Sequence, residues 1–314
     1  MQKYISFHSD DRFARLKLFG YYAQRLTTSR KVRRLATRLT IGWLRMRYGV
    51  SRLAERRFAA TEAMRTKGYL SLGSLLSQEQ CAEILGYLRD KQLFASRGGG
   101  MWFPMSAPPN GIAIGDYALD TVVNCPHIME LANHPMILAL ASNYIGYIPT
   151  ITTMGIRCSF PTDKIDEDVQ GFHRDSEMGS IKVMIYLTDV DASSGPHVYV
   201  QGTHLDRIPI RLRRHSDMEV MCKHGGGVRI TGPAGTAFAI DTKGIHKGAP
   251  PISCPRLLLG IQYSLLPCLI YQYEPVEYFG NAHFDSYINR LMVKRRLDHP
   301  REAKKVAPVS TMRE

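Results

Sequence analysis

The chain has 314 residues, of which 44% are hydrophobic and 22% charged, a balance that excludes disorder over its whole length. Its net charge of +13 is concentrated at the ends, because residues 12–57 carry 14 Lys/Arg and one acid, and residues 290–314 carry 8 Lys/Arg and 3 acids. The central part is mildly acidic and aromatic residues are sparse in the basic segment, so a nucleic-acid-binding protein is not expected.

The cysteines and the chain start indicate the compartment. The six cysteines are scattered and form no C-x-x-C pair, which excludes a zinc cage and the disulfide framework of a small secreted domain. The opening MQKYISFHSDDRF has no apolar stretch of the signal-peptide type. No run approaches the ~18 apolar residues of a membrane-spanning helix. The sequence predicts a cytoplasmic protein with free thiols.

The basic segment has the periodicity of an amphipathic helix from about Arg30 to Arg57. Apolar side chains recur at steps of three or four residues from Val32 to Leu53, and arginines occupy much of the remaining circumference. Gly42 and Gly49 weaken the helix prediction. Two interpretations stay open: the apolar stripe packs on the protein's own body, or residues 12–57 lie peripherally on an anionic membrane surface or an acidic partner.

After Arg65 the pattern changes from one long helix to shorter elements. A strand-like YLSL precedes a helix start, where Ser77 and Gln80 have the spacing of a capping box. From about Thr150, helix signals nearly vanish, and short strand-like segments are separated by Gly, Pro, Asp and Ser: ITTMGIRCSF, IKVMIYLTDV, HVYVQGTH, VRITGPAGTAFAI and RLLLGIQYSLL. This spacing is typical of a β-sandwich or barrel. We therefore predict a mainly β fold with flanking helices (α+β) and an N-terminal helical region.

The segment GFHRD at 171–175 offers the first candidate metal ligands. His173 and Asp175 are two residues apart, so on an extended strand both side chains project to the same face. His246 follows 73 residues after His173 and can supply a third ligand. Two imidazoles and one carboxylate leave open coordination positions, as in Fe(II) oxygenases, whereas structural zinc takes four protein ligands. An H-x-D triplet alone is common by chance, so the ordered set carries the prediction.

Arg256 completes the ordered set, ten residues after His246. It begins the apolar strand RLLLGIQYSLL, where a charge is costly unless it is paired. Its planar guanidinium grips a carboxylate with two hydrogen bonds, and beside the metal ligands the natural partner is the distal carboxylate of a 2-oxo diacid. The alternative is a strand-edge arginine whose head reaches solvent.

The segments GFHRD, IKVMIYLTDVDASSGPHVYVQGTH and GPAGTAFAIDTKGIHKG, followed by Arg256, resemble the phytanoyl-CoA dioxygenase-like family of Fe(II)/2-oxoglutarate-dependent oxygenases. The similarity runs from about Lys67 to about Pro267. It implies a double-stranded β-helix (jelly-roll, cupin-like) core, Fe(II) and 2-oxoglutarate as cofactors, and O₂-dependent conversion of 2-oxoglutarate to succinate and CO₂. It further implies that the iron ligands are His173, Asp175 and His246, and that Arg256 binds 2-oxoglutarate.

Two positions depart from the family pattern. Arg174 stands where members often have Gln, and Lys247-Gly248 replaces a common Gly-Ser, which leaves open whether a hydroxyl contact to the cosubstrate is made. Asp175 is retained, whereas halogenases of this superfamily have Gly or Ala there, so hydroxylation is expected rather than chlorination. The resemblance also directs Lys182 of IKVMIYLTDV to the barrel interior, in contact with 2-oxoglutarate or an acidic substrate group; an exposed lysine on an edge strand is the alternative.

We therefore expect a basic amphipathic N-terminal segment over residues 1–58, a double-stranded β-helix oxygenase domain over 59–289 and a basic C-terminal tail over 290–314. The expected substrate is a small or lipid-linked metabolite, such as an anionic sugar or an acyl conjugate, in the cytoplasm or at the inner membrane surface. No catalytic residue beyond the metal ligands is expected. The alternatives are a cupin-type metal-binding barrel, for which only Glu177 offers an additional ligand near His173, and a non-catalytic β-barrel protein.

Overall fold

The computed structural model describes residues 3–5, 12–26, 29–49, 59–96, 99–175, 177, 179–206 and 214–294. Its helices are α1 (Arg12–Leu26), α2 (Arg30–Tyr48), α3 (Ala60–Lys67), α4 (Gln78–Leu88), α5 (Leu119–Val123), α6 (Ile128–Ala132), α7 (Pro135–Ile145), α8 (Glu167–Gln170), α9 (Asp217–His224) and α10 (Ser286–Asn289). Its strands are β1 (Lys3–Tyr4), β2 (Tyr69–Ser74), β3 (Gln92–Ala95), β4 (Met101–Pro104), β5 (Ile114–Tyr117), β6 (Thr150–Ser159), β7 (Ser180–Tyr186), β8 (His197–Tyr199), β9 (Val228–Ile230), β10 (Thr236–Ile240), β11 (His246–Gly248), β12 (Arg256–Ser264) and β13 (Tyr271–Gln272).

Two antiparallel sheets form the body of the described chain. The larger sheet has the order β2-β10-β7-β12-β6-β5-β3-β4, the smaller has the order β11-β8-β9, and β1 pairs with β13. Side chains alternate along β7: Val183 and Ile185 belong to the main core, whereas Met184 and Tyr186 pack with Tyr199 of β8 between the two sheets. The arrangement is a jelly roll.

Helices cover the outer face of the larger sheet. Apolar residues of α4 and of α5 to α7 share one buried cluster with the outward-facing residues of β12, among them Leu257, Leu259 and Ile261. Burial on both faces explains why RLLLGIQYSLL is nearly continuously apolar, although it lies in an antiparallel sheet. The structure confirms the predicted mainly β fold with flanking helices and an N-terminal helical region.

Helix starts and ends follow local side-chain chemistry. The predicted capping box is present at α4, where the Gln80 backbone N–H donates to Ser77 Oγ over 3.2 Å and the Ser77 N–H donates to Gln80 Oε1 over 2.9 Å. Helix α2 ends earlier than the predicted Arg57. Gly49, with φ 86°, follows Tyr48, and its N–H donates to the Arg45 carbonyl. The end of the predicted helix, residues 50–57, lies outside the described residues.

The predicted apolar stripe of α2 does not pack on the protein's own body. The opposite face of the helix is docked instead, with Arg33 and Leu44 buried, and the Tyr147 hydroxyl donates to the carbonyls of Leu44 and Gly49. The first of the two interpretations of this stripe is therefore wrong for its described residues, which are all exposed: Val32, Leu35, Leu39, Trp43 and Met46. Val50 and Leu53 lie outside the described part of the chain.

Two further findings concern the cysteines and the helices. Each of the six cysteines is a free thiol, as expected from their spacing. Among the described helices, none combines the length and apolar character needed to cross a membrane.

Candidate metal centre

The two histidines are brought together by an isolated antiparallel bridge between the GFHRD segment and β11. The His173 N–H donates to the His246 carbonyl over 2.9 Å, and the His246 N–H donates to the His173 carbonyl over 3.0 Å. Their ring centroids lie 4.4 Å apart. Each Nδ1 lies within 2.9 Å of a carbonyl two residues earlier, at 2.8 Å from Gly171 and 2.9 Å from Gly244. An Nδ1–H donor leaves Nε2 unprotonated, the form that binds a metal.

Asp175 lies on the same inner face, as the period-2 argument predicted. Its N–H donates to the Thr242 carbonyl over 2.8 Å, which fixes the strand beyond His173 against the loop that leads to β11. The His173 Nε2 and Asp175 Oδ1 atoms are 3.9 Å apart. One ligand atom from each of His173, Asp175 and His246 lies within 4.8 Å of the other two. The structure therefore brings together the three side chains that the sequence selected, in an arrangement that can hold a metal ion.

The electrostatics of these side chains favour the protonation states that bind metals. Burial, and next the neighbouring His173, lowers the pKa of His246 to about 3, so its imidazole is neutral at neutral pH. Burial by itself raises the pKa of Asp175, but Lys182, His246 and His173 outweigh it and lower that pKa below its ordinary value. A neutral imidazole and an ionised carboxylate are the ligand forms that binding requires.

Arg256 points into the space between the sheets. It is 1% exposed, and it shares the inward face of β12 with Leu258. Its Nη2 donates to Ser159 Oγ on β6 over 3.2 Å. Its Nε and Nη1 have no hydrogen-bond partner among the described residues. Burial lowers its pKa, a sign that the charge lacks compensation where it lies.

Lys182 also faces the interior, on β7. Its Nζ lies 4.0 Å from Asp175 Oδ2, and the residue pairs in register with Gln262 of β12, which is buried. Strand β7 lies between β10 and β12 in the larger sheet, so the edge-strand alternative for Lys182 is wrong. Two cations, Lys182 and Arg256, thus lie on the same inner surface as a single candidate ligand carboxylate.

His197 is an inward-facing residue that the sequence did not mark as a candidate for the site. Its ring stacks on His246 with the centroids 5.6 Å apart, and its backbone N–H donates to the Tyr186 hydroxyl over 2.9 Å. Its Nε2 is buried and has no partner among the described residues, and burial lowers its pKa well below the ordinary value. Only the pairing of β8 with β11, between residues 47 to 51 positions apart in sequence, places this side chain beside the candidate ligands.

Two of the residues that depart from the family pattern, Arg174 and Lys247, lie on the outer face. Arg174 donates to the carbonyls of Thr203 and Lys243 and forms an ion pair with Asp206. Lys247 is buried, and its Nζ lies 2.6 Å from a carboxylate oxygen of Asp217 at the start of α9. Both residues therefore attach the ligand-bearing strands to neighbouring segments, whereas Gly248, the other half of the Lys247-Gly248 departure, lies beside Arg256 on the inner face.

The motif YLTDVDASSGPH…GTH positions the strands around the candidate ligands. Asp191 accepts hydrogen bonds from the N–H groups of Ser193 and Ser194, which closes the turn before β8. The Thr203 hydroxyl donates to the Val200 carbonyl and accepts from the Ile245 N–H over 2.8 Å. The second contact fixes the residue directly before His246, so this motif acts on the site through the backbone.

A cleft of about 370 Å³ opens on the same face of β6 as Ser159. Arg157, two residues before Ser159, lines it and forms an ion pair with Asp116 at 2.7 Å. The far wall includes α8, which packs against β11, and Arg214, which pairs with Glu167. Arg214 lies in the basic stretch RLRRH at 211–215, of which residues 211–213 lie outside the described residues.

Comparison with known families identifies the protein family to which the chain belongs. The profile of the phytanoyl-CoA dioxygenase (PhyH) family matches residues 64–253. The chain belongs to that family. The match begins in α3, covers strands β2 to β11 and contains the three candidate ligands, and it confirms the family resemblance seen in the sequence. Arg256 on β12 follows directly after the matched segment. No curated protein matches the chain.

Solved structures share the fold. HygX from Streptomyces hygroscopicus, solved with nickel, 2-oxoglutarate and hygromycin B bound, is 15% identical and covers 71% of this chain and 92% of its own, with a TM-score of 0.51. EctD from S. alaskensis with bound Fe is 16% identical over 78% of this chain and 90% of its own, with a TM-score of 0.48. The carbocyclase SnoK from nogalamycin biosynthesis is 20% identical over 69% and 87%, with a TM-score of 0.46. The likeness to HygX supports the jelly-roll assignment.

Proposed function

We propose that this member of the phytanoyl-CoA dioxygenase family is an Fe(II)/2-oxoglutarate-dependent oxygenase that hydroxylates a C–H bond. The observation that carries the proposal is the convergence of His173, Asp175 and His246 beside Arg256, whose two buried N–H groups lack a partner among the described residues. When bound, iron and 2-oxoglutarate supply the oxidising chemistry, in which O₂ is consumed, 2-oxoglutarate gives succinate and CO₂, and one oxygen atom enters the substrate.

The donor set fits the proposed iron. Imidazole and carboxylate are the ligands of the facial triad of non-haem Fe(II) oxygenases. The backbone contacts to each Nδ1 hold both imidazoles with Nε2 towards Asp175. The cupin alternative needs a further ligand, but Glu177 is not part of this group and instead borders a pocket with Thr37 and Thr40 of α2. The described residues therefore favour a three-ligand site.

The inner surface also fits the proposed cosubstrate. Arg256 would grip the distal carboxylate of 2-oxoglutarate through Nε and Nη1, while Ser159 keeps Nη2 in place. A side chain at Gly248 would place its Cβ 3.0 Å from Arg256 Nη2, so the glycine keeps the approach to the guanidinium open. In this proposal Lys182 and the Nε2 atom of His197 supply further polar contacts to the bound anion or to the substrate.

Charge supports an anionic substrate. Lys182, Arg256 and divalent iron together exceed the charge of Asp175 and the 2-oxoglutarate dianion by one positive unit. A buried excess charge is costly unless it is paired, so an acidic group on the substrate would complete the site. The cleft beside Arg157 has the volume for a small polar metabolite or for the head of a lipid-linked one.

Anaerobic titration tests the proposal. Fe(II) followed by 2-oxoglutarate should produce a metal-to-ligand charge-transfer absorption in the native protein, and His246→Ala should abolish it. His283→Ala, which removes an exposed histidine, is the control and should keep the absorption. In air, the native protein should convert 2-oxoglutarate to succinate slowly even without a substrate.

The possible outcomes separate the rival functions. Iron binding without any response to 2-oxoglutarate would favour a cupin-type metal protein. Folded protein that binds neither iron nor 2-oxoglutarate would favour a non-catalytic barrel and would contradict the proposal.

A further inference from the structure

The two N-terminal helices lie against the segment that follows β12. On α1, Ala14 and Leu18 are buried in a cluster that includes Ile270, and a Cβ at Gly20 would lie 3.1 Å from Leu269. On α2, Thr37 and Thr40 border a small pocket with residues 264–269, and Arg33 attracts the carboxylate of Glu177. Each helix is therefore held to the body by one face.

The faces that remain accessible carry large apolar side chains. With ~100° between successive helical residues, the stripe of α2 spans an arc of roughly 80° opposite the docked face. Leu39 is 67% exposed, Trp43 53% and Met46 83%. Helix α1 also exposes large apolar side chains: Phe13, Leu16 and Phe19. Soluble monomers rarely expose so much contiguous apolar surface unless it meets something.

Positive charge surrounds this apolar surface. Between Arg12 and Tyr48 the sequence has 11 Lys/Arg and no Asp or Glu. Four exposed basic residues of α2 lie on the helix flank between the docked face and the apolar stripe: Lys31, Arg34, Arg38 and Arg45. An apolar stripe with a basic border is the composition of helices that lie in the interface of anionic membranes.

We propose that the exposed faces of α1 and α2, here called the N-terminal surface, dock on an anionic lipid bilayer. The apolar stripe would enter the boundary between headgroups and acyl chains, and the basic flank would contact anionic headgroups. A second copy of the chain is a poorer occupant, because two surfaces that both carry many Lys/Arg and no acid repel each other. An acidic protein would satisfy the basic flank but not specifically the aromatic and aliphatic stripe.

Docking in this orientation would bring the proposed active site close to the bilayer. The membrane inference itself does not depend on the reaction that the site catalyses. The docked face of α2 borders Glu177, two residues after Asp175, and residues 264–269 directly continue β12. The bilayer would therefore lie on the side of the barrel where Glu177 and residues 264–269 are located, close to Asp175. That position suits a substrate whose acidic head projects from the membrane.

Vesicle flotation with the full chain tests the inference. The protein should float with vesicles of phosphatidylcholine and phosphatidylglycerol, should not float with phosphatidylcholine alone, and should be released by high salt. Arg34→Gln with Arg38→Gln should weaken binding about 25-fold, because each basic residue near an anionic surface contributes roughly fivefold. Leu39→Glu with Trp43→Glu should reduce binding to background.

A matched control and a local probe make the result specific. Met221→Glu with Ile252→Glu adds the same two charges at exposed apolar positions elsewhere and should float like the native protein. In a Trp102→Phe background, the emission of Trp43 should shift to the blue only with anionic vesicles.

Three results would overturn the inference. The first is the same binding, or none, with neutral and anionic vesicles. The second is unchanged binding by the Leu39/Trp43 variant. The third is a concentration-dependent dimer in light scattering that the same variant dissociates, which would assign the surface to a second copy. Circular dichroism of that variant should match the native protein, because both substituted side chains are more than half exposed.

Discussion

Replacement of Arg256 by methionine should have effects of opposite sign on cosubstrate binding and on stability. The guanidinium is 1% exposed and makes one hydrogen bond, to Ser159 Oγ, while Nε and Nη1 have no partner among the described residues. A buried charge without full compensation destabilises the cosubstrate-free protein. The same two N–H groups are the ones that a carboxylate of 2-oxoglutarate would satisfy.

The magnitudes follow from these contacts. Two charge-assisted hydrogen bonds of roughly 1.5–3 kcal/mol each give a loss of about 3–6 kcal/mol, which weakens 2-oxoglutarate binding by about 10²- to 10⁴-fold. Replacement of buried ion pairs by apolar side chains of similar volume is often neutral or stabilising by about 1–4 kcal/mol, and we expect the same for this incompletely paired arginine. Anaerobic titration of 2-oxoglutarate in the presence of Fe(II) measures the first effect, and urea unfolding of metal-free protein measures the second.

Arg65→Met is the matched control for the loss of one arginine. Its guanidinium donates to the Asn143 carbonyl over 3.1 Å at an exposed position, so both the affinity and the stability should stay near the native values. The reasoning about Arg256 would be refuted by a 2-oxoglutarate affinity within about threefold of the native protein. It would equally be refuted by a free energy of unfolding more than about 1 kcal/mol below the native value, because that would show the charge to be well compensated.

Three further substitutions probe the inner face, the outer face and the core. Lys182→Met should weaken 2-oxoglutarate binding about tenfold and tighten Co(II) binding several-fold, because the ammonium 4.0 Å from the Asp175 carboxylate repels a bound cation; calorimetry measures both. Arg174→Met should lower the free energy of unfolding by about 3 kcal/mol in urea, since its carboxylate partner and two carbonyls lose their donor. Leu259→Ala should destabilise by about 2–5 kcal/mol, against less than about 0.5 kcal/mol for the exposed Val228→Ala.

The features that the sequence predicted correctly are those encoded by the short-range spacing of residues along the chain. On β7 the alternation of side chains separates Met184 from Val183, and the same rule places His173 and Asp175 on one face. The capping box at Ser77 is likewise a short-range pattern. Each of these depends on residues within four positions of each other, so no knowledge of the tertiary contacts was needed.

Two features depend on contacts that no local pattern encodes. Periodicity identifies the apolar stripe of α2 but not which face of the helix meets the body, and here the contacts are made by Arg33, Thr37 and Leu44 instead. The partners of that face, Tyr147 and Glu177, lie about a hundred residues or more away in sequence. His197 is similar, because only the pairing of β8 with β11 turns a loop-like histidine into a neighbour of His246.

The departures from the family pattern have a structural explanation in the strand alternation. Inward positions of the GFHRD segment and β11 carry the candidate ligands and Gly248, whereas the outward positions, Arg174 and Lys247, carry ion pairs to other segments. Gly248 lacks the hydroxyl that a serine would offer beside Arg256, and Ser159 of β6 presents a hydroxyl to the same guanidinium. Strand β6 thus supplies the hydroxyl that β11 lacks. The proposed anion site therefore keeps both the guanidinium of Arg256 and a hydroxyl beside it.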